Sequence, residues 1–385
     1  MGTGGRVIES DRHGEADDVD GRNLRVVLAP DKFKGTLTAA EVIDAMTPVI
    51  RARYPRAEIL AVPMADGGDG TLDAVLARGF ERRECASVDG LGRSVRAPYA
   101  YRAGMAVVEL AAICGLAVTG QRDVHRASSL GLGIVARQAV IDGATDLLVA
   151  LGGSASVDGG LGFLVGLGMQ AWDGDGQPVA PGLDGLSRVR RIDLDSIPRE
   201  VRAASWRFLL DVANPLTGSA GAAAVFGPQK GLGIEEIPWA DASLSAWATL
   251  LGVPQLVGDA GMGAAGGIAL AGRAVLGASA EPGAPWIAHL VGLPEAIARA
   301  SIVITGEGSF DAQSLSGKAP GEVIRMAREA GVPVRVMAGS VGLDEETWRA
   351  AGVDRVVDVS VRAGGVQSAM DRPAHWVAQA AGALL

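Results

Sequence analysis

The sequence has little of what metal-built and disulfide-stapled proteins depend on. Two cysteines, Cys85 and Cys114, and four histidines (His13, His125, His289, His375) are scattered over 385 residues. None of their spacings is of the structural-zinc kind, which argues against a zinc-built fold. A chain of this length can bury a sizeable core without cross-links, so the two thiols are expected to be reduced. Positive charge is also short: 35 Lys and Arg stand against 44 Asp and Glu, a formal charge of −9. No basic block offsets it, which argues against nucleic acid or an anionic membrane as partner. Uncharged stretches such as 242–258 are broken by Ser, Pro and Gln, so no membrane span is expected. Residues 1–22 are polar, lack the apolar run of a signal peptide, and are expected to be a disordered extension of a cytoplasmic protein.

Several catalytic signatures are missing as well. A Walker A loop fails, because Gly317-Lys318 is followed by Ala319 and the upstream glycine position holds Ala312. The stretch Gly131 to Ala136 matches a dinucleotide loop only loosely and follows Ala127-Ser128-Ser129, not a strand. There is no nucleophile elbow and no protein-kinase catalytic signature.

What is abundant is glycine. The 55 glycines follow no Gly-X-Y period and gather at the ends of apolar runs. Tight turns and close backbone approach to a ligand favour a residue without Cβ there. From Leu24 onward the chain repeats an apolar run, a glycine-rich loop and an amphipathic helix. Arg25 to Ala29 reads as a strand. A helix follows with Thr38 and Glu41 as a capping box, Val42, Ile43, Met46 and Ile50 on one face, and a bend expected at Pro48. Ile59 to Met64 reads as a strand and Thr71 to Ala77 as a helix capped by Asp69. Toward the C-terminus, strands at 301–305, 332–337 and 353–359 alternate with helices, a βαβαβ pattern that implies a parallel sheet. In the middle, Val107 to Ile113, Leu147 to Leu151 and Phe208 to Val212 read as strands, and residues 172–202 as hairpins or surface loops. The expected organisation is discontinuous. Residues 23–88 and 295–385 form one α/β domain with a parallel sheet, and residues 89–294 a second, mixed α/β domain.

Five loops follow apolar strands directly, and loops at the carboxyl ends of strands are where open α/β sheets collect ligands. The loop 29–35 offers Lys32 and Lys34 as anchors for phosphate or carboxylate. The loop 63–70 offers Gly67 and Gly68 for anion contact and Asp66 and Asp69 for Mg²⁺. The loop 151–160 presents Gly152, Gly153 and Ser154 and ends in Asp158. Asp211 and Asn214 follow the fourth strand, with Lys230 shortly after. The fifth loop, 305–318, carries Glu307, Asp311 and Lys318. Each residue also has a plain structural use, as turn former, helix cap or solvated charge. Acids, lysines and glycines recurring at five strand ends, without histidine, suit phosphoryl transfer. That chemistry needs oxygens for Mg²⁺, N–H and ammonium groups for phosphate, and an oriented hydroxyl.

Seven stretches in this order closely resemble the bacterial glycerate kinase family. They are APDKFKGTLTA (29–39), PMADGGDGT (63–71), LGGSASVDGG (151–160), DVANPLTG (211–218), FGPQKG (226–231), GAAGG (263–267) and ITGEGSFDAQSLSGKAP (304–320). The resemblance implies one flavodoxin- or Rossmann-like domain with the active site in an interdomain cleft. It also implies ATP, Mg²⁺ and D-glycerate, with 2-phosphoglycerate as product, 3-phosphoglycerate left open, and entry of glycerate into central carbon metabolism. Loop position and residue chemistry suggest the individual roles. Lys34 meets phosphate or substrate carboxylate and takes part in catalysis with Asp66, and Asp211 orients or deprotonates the hydroxyl. Gly67, Gly68, Gly152, Gly153, Ser154 and Lys318 contact the nucleotide phosphates, and Lys32, Asn214 and Lys230 the substrate. Asp66, Glu307 and Asp311 hold the metal. Val157 and Ala213 depart from the family's usual residues, and residues 1–22 lie outside the resemblance. A kinase for a related small hydroxy acid and an inactive metabolite-binding regulator are the alternatives, and homo-oligomerisation is left open.

Overall fold

Val26 and Leu28 point to one face of the first strand and Val27 to the other, and all three are fully buried. A strand apolar on both faces belongs inside a sheet covered on both sides. The computed structural model describes residues 24–385, and the expectation for residues 1–22 lies outside that range. The strands are β1 (Arg25–Leu28), β2 (Glu58–Ala61), β3 (Glu81–Val88), β4 (Ser94–Arg102), β5 (Met105–Glu109), β6 (Asp146–Ala150), β7 (Gln170–Trp172), β8 (Arg191–Asp193), β9 (Ser205–Leu210), β10 (Ser279–Pro282), β11 (Ile302–Phe310), β12 (Val334–Val341) and β13 (Val353–Asp358). A five-stranded sheet has the order β13-β12-β11-β1-β2 and is parallel throughout. It draws its strands from the two ends of the described chain. A six-stranded sheet, β10-β9-β6-β5-β4-β3, is parallel from β10 to β5 and antiparallel from β5 to β3. The chain crosses from the first sheet to the second between Leu76 and Glu81 and returns between Pro282 and Ile302. Residues 172–202 hold part of the small antiparallel β7–β8 pair and two short helices.

Alternating burial fixes five layers. Val26, Leu28 and Ile304 pack against helices Ala39–Arg53 and Pro373–Leu384. On the opposite face, Val27, Val303 and Val336 share one apolar layer with Val107, Leu148 and Leu209 of the second sheet. Helices Thr71–Leu76, Gly283–Leu290 and Ala319–Glu329 fill that layer. Leu147, Val149 and Phe208 point the other way, onto helices Leu130–Ile141 and Leu161–Leu167. The period of two along β6 thereby serves two different cores.

The capping box at the start of Ala39–Arg53 forms as expected: Thr38 Oγ1 accepts from the Glu41 N–H at 3.2 Å, and the Thr38 N–H donates to Glu41 Oε2 at 2.8 Å. Three local expectations need correction. The apolar run 107–113 is two elements, because β5 stops at Glu109 and a helix takes over at Leu110–Cys114. An unbroken apolar run does not distinguish a buried strand from a buried helix. The strand beginning near Ser301 continues to Phe310 through its glycines. A Cβ on Gly306 would stand 2.0 Å from the carbonyl oxygen of Met337 on β12, so glycine here allows close strand approach and forms no turn. Finally, Asp69 does not cap the helix Thr71–Leu76, whose N-cap is Gly70 at φ 92°. The acceptor comes from the other sheet: Glu109 takes the Leu72 N–H at 2.7 Å and the Gly70 N–H at 3.3 Å.

Candidate active site

The carboxyl ends of β1, β2, β5, β6 and β9, with the second half of β11, open onto a single cleft of about 1270 Å³. Glycine brings the facing loops together at its floor. The Gly152 N–H donates to the Gly67 carbonyl at 3.3 Å, and a Cβ on Gly152 would lie 2.4 Å from Gly68 Cα. Behind them a Cβ on Gly283 would meet the Asp66 carbonyl oxygen at 1.8 Å. Backbone contact this tight leaves no room for a side chain.

The sequence holds only four lysines, against 31 arginines, and all four line this cleft. Exposed surface accepts either cation, whereas a compact ammonium and a planar guanidinium fork are not interchangeable at a crowded anion site. The four divide into two pairs. Lys32 Nζ donates to the Asp69 carbonyl at 2.6 Å and lies 3.7 Å from the Asp31 carboxylate. Burial pulls its pKa down, but the charges of Asp31, Asp66, Asp69 and Glu109 outweigh that and hold it above the ordinary lysine range. Lys230 is 3% exposed, and its Nζ donates to Ser154 Oγ and to the Ser156 carbonyl, both at 2.7 Å. Burial pushes its ammonium down to about 7, against the pull of Asp158. Lys34 is exposed and Lys318 half-buried, and neither ammonium has a hydrogen-bond or ion-pair partner among the described residues. These two are free to meet an anion.

The carboxylates crowd the same space. Asp31 is buried and shifted up to about 7, chiefly by burial, with Asp66 and Glu307 adding to the rise and Lys32 opposing it. Burial likewise takes Glu307 to about 7, where the Ser314 hydroxyl and Lys318 draw it back and Asp311 and Asp66 push further. Glu307 Oε1 is buried without a hydrogen-bond partner among the described residues. Asp211 stays open to the cleft, while the enclosing walls and Asp66 raise its carboxyl above the ordinary range. Glu109, the cap supplied from β5, reaches about 7 through burial, with its two N–H partners opposing.

Most of the expected set therefore gathers here. Lys32, Lys34, Asp66, Gly68, Gly152, Gly153, Ser154, Asp211, Lys230, Glu307, Asp311 and Lys318 line the cleft, while Gly67 and Asn214 do not. Asn214 Nδ2 instead donates to the Ala220 carbonyl at 2.8 Å and ties its own loop. The N–H groups of Gly68 and Gly152 are already engaged, by Asp66 Oδ1 and the Gly67 carbonyl. Asp66, Glu307 and Asp311 do not close into a metal cage, since among the described residues no three His, Cys, Asp or Glu are grouped to hold an ion. Asp66 Oδ1 and Asp311 Oδ1 turn instead to the N–H groups of Gly68 and Gln313, at 3.1 and 2.8 Å. Asp31 and Glu109 are the residues motif reading passed over. The lysine count was the unused signal.

A cleft between two α/β sheets, walled by ammonium groups, carboxylates and glycine loops, defines an enzyme of anionic substrates, of the phosphotransferase class. Comparison with known proteins makes this particular. The profile of the glycerate kinase family matches residues 26–385. Glycerate 2-kinase of Escherichia coli K12 is 36% identical over 356 residues, covering 90% of this chain and 93% of that protein. Glycerate kinase of Bacillus subtilis 168 is 32% identical over 368 residues, covering 93% and 96%. The crystal structure of a Salmonella typhimurium LT2 protein assigned as glycerate kinase 2 superposes with a TM-score of 0.78 at 33% identity, covering 94% of this chain and 98% of that one. The chain belongs to the glycerate kinase family and is a glycerate kinase. Among the described residues no helix is long and apolar enough to cross a membrane.

Proposed function

We propose that this glycerate kinase transfers the γ-phosphoryl group of ATP to the C2 hydroxyl of D-glycerate, yielding 2-phosphoglycerate, and does so in the cytoplasm as an entry of glycerate into central carbon metabolism. The observation that carries the reading is the confinement of all four lysines to one carboxylate-lined cleft. In this reading the two sheets are the cores of two domains and the cleft lies between them. Lys34 and Lys318, whose ammonium groups have no partner among the described residues, meet the phosphoryl oxygens and the glycerate carboxylate. Lys32, neutralised by Asp31, orders the loop beside them.

Asp211 accepts the proton of the attacking C2 hydroxyl. Its raised pKa places it closer to working pH than an ordinary aspartate, which favours a base that must take up a proton and release it. Asp66 and Glu307 are the residues that would hold Mg²⁺, and the unpartnered, buried Oε1 of Glu307 suits a cation. Bound Mg²⁺ neutralises phosphate charge, and it usually needs only one or two protein carboxylates besides phosphate oxygens and water. A steady-state panel of ATP with D-glycerate, lactate, tartronate and glycolate tests the assignment. D-glycerate giving the highest kcat/KM supports it, and another acid outrunning it assigns the cleft to a different hydroxy acid.

A further inference from the structure

Lys230 is spent on the protein itself, and the manner of its spending has a consequence for Ser154. It is the last residue of the helix Ala222–Lys230, where the helix dipole favours a cation. It forms no salt bridge with a described residue. Asp158 is the charge it feels, but that carboxylate is fully buried and occupied by the Ser129, Gly160 and Gly162 N–H groups and the hydroxyls of Ser129 and Ser156. A buried ammonium without a carboxylate partner is costly, so two hydrogen bonds to one loop are a thin return if packing were its only use.

An ammonium has three donors and no acceptor, while a serine hydroxyl has one donor and two acceptor lone pairs. Lys230 Nζ occupies a lone pair of Ser154 Oγ at 2.7 Å. While Lys230 carries its full three protons, the Ser154 proton cannot go back to it, and Ser154 donates to no described residue. Both residues line the cleft. We propose that Lys230 is a positioning residue that fixes Ser154 as a one-way donor into the cleft, aimed at an oxyanion of the substrates, either a nucleotide phosphoryl oxygen or the glycerate carboxylate. The ammonium also polarises the hydroxyl it touches, which strengthens the outward hydrogen bond. Its second bond, to the Ser156 carbonyl at 2.7 Å, holds the loop so that Ser154 does not swing. The inference rests on the phosphotransfer reading of the cleft.

The test uses Ser154→Ala, Lys230→Met and the double variant of the full chain. ADP affinity is read by calorimetry and D-glycerate KM by steady-state kinetics, and the two arms tell the phosphate from the carboxylate. Losing a hydrogen bond to a charged group predicts about a 10- to 100-fold weakening in one arm for Ser154→Ala. Lys230→Met is expected to weaken the same arm by a similar factor, and the double variant to be no worse than the poorer single variant within about threefold. A Ser154→Ala protein with both arms within threefold of wild type overturns the proposal, as do losses that multiply in the double variant. Should Lys230→Met fail to fold, Ser154→Ala decides alone, with Ser154→Thr expected to restore the lost arm by returning the hydroxyl. If the wild type does not phosphorylate glycerate, the functional reading fails, while the ADP arm still judges the role of Ser154.

Discussion

Glu109→Gln removes a charge that the fold holds at a cost, and the effect has a definite dependence on pH. Glu109 ends β5, is 3% exposed, and caps a helix that packs between the two sheets. Burial raises its pKa from an ordinary 4.5 to about 7. Between those values the native carboxyl keeps its proton while the unfolded one has lost it, so unfolding releases a proton. Raising the pH then favours unfolding, and the group's contribution to stability falls from about pH 4.5 and is gone above about 7. At about 1.4 kcal/mol for each pH unit, that rise corresponds to about 3 kcal/mol. Glutamine is neutral throughout, and its Oε1 still accepts from the Leu72 N–H. The Tm difference between Glu109→Gln and wild type, followed by circular dichroism, should therefore move in favour of the variant as pH rises from 5 to 8. The movement should be on the order of 5 °C in a chain of this size. The other titrating groups are common to both proteins and cancel in the difference. A difference that stays flat across that range, or moves toward wild type, refutes the claim that burial outweighs the two N–H partners of Glu109 and raises its pKa.

Two further outcomes follow from the cleft. Asp211→Asn keeps the shape and removes the base, so kcat should fall by roughly 10²-fold or more with little change in Tm; unchanged turnover in a folded variant removes Asp211 from that role. Lys318→Met and Lys34→Met should each raise the KM for ATP or for glycerate by about tenfold or more, since neither ammonium has a partner to lose among the described residues. Steady-state kinetics at fixed co-substrate would reveal an unaffected KM if either lysine only decorates the surface.

Part of the sheets was legible from apolar runs: β1, β2, β6, β9, β12 and β13 were expected as strands, whereas β3, β4 and β10 were not. The strand through Val26, Val27 and Leu28 and the capping box at Thr38 and Glu41 read correctly from local chemistry alone. Long-range events were not legible. The cap of Thr71–Leu76 comes from Glu109, thirty-seven residues away, so a local rule assigned it to Asp69. Gly306 looked like a turn because its strand partner, Met337, is not visible in the sequence. The site was legible as loops but not as roles. Which lysines are free depends on Asp31, Asp69, Ser154 and Ser156 taking up the others, and only the folded chain brings those groups together.

Phosphorus NMR of the product formed from ATP and D-glycerate by the wild-type enzyme tests the C2 phosphorylation most directly. A phosphate on C2 couples to the single methine proton and gives a doublet, whereas a phosphate on C3 couples to two methylene protons and gives a triplet. The expected result is one new phosphomonoester signal, a doublet, growing with ADP. A triplet would contradict the C2 assignment, and ATP left intact beside D-glycerate would contradict the kinase assignment itself.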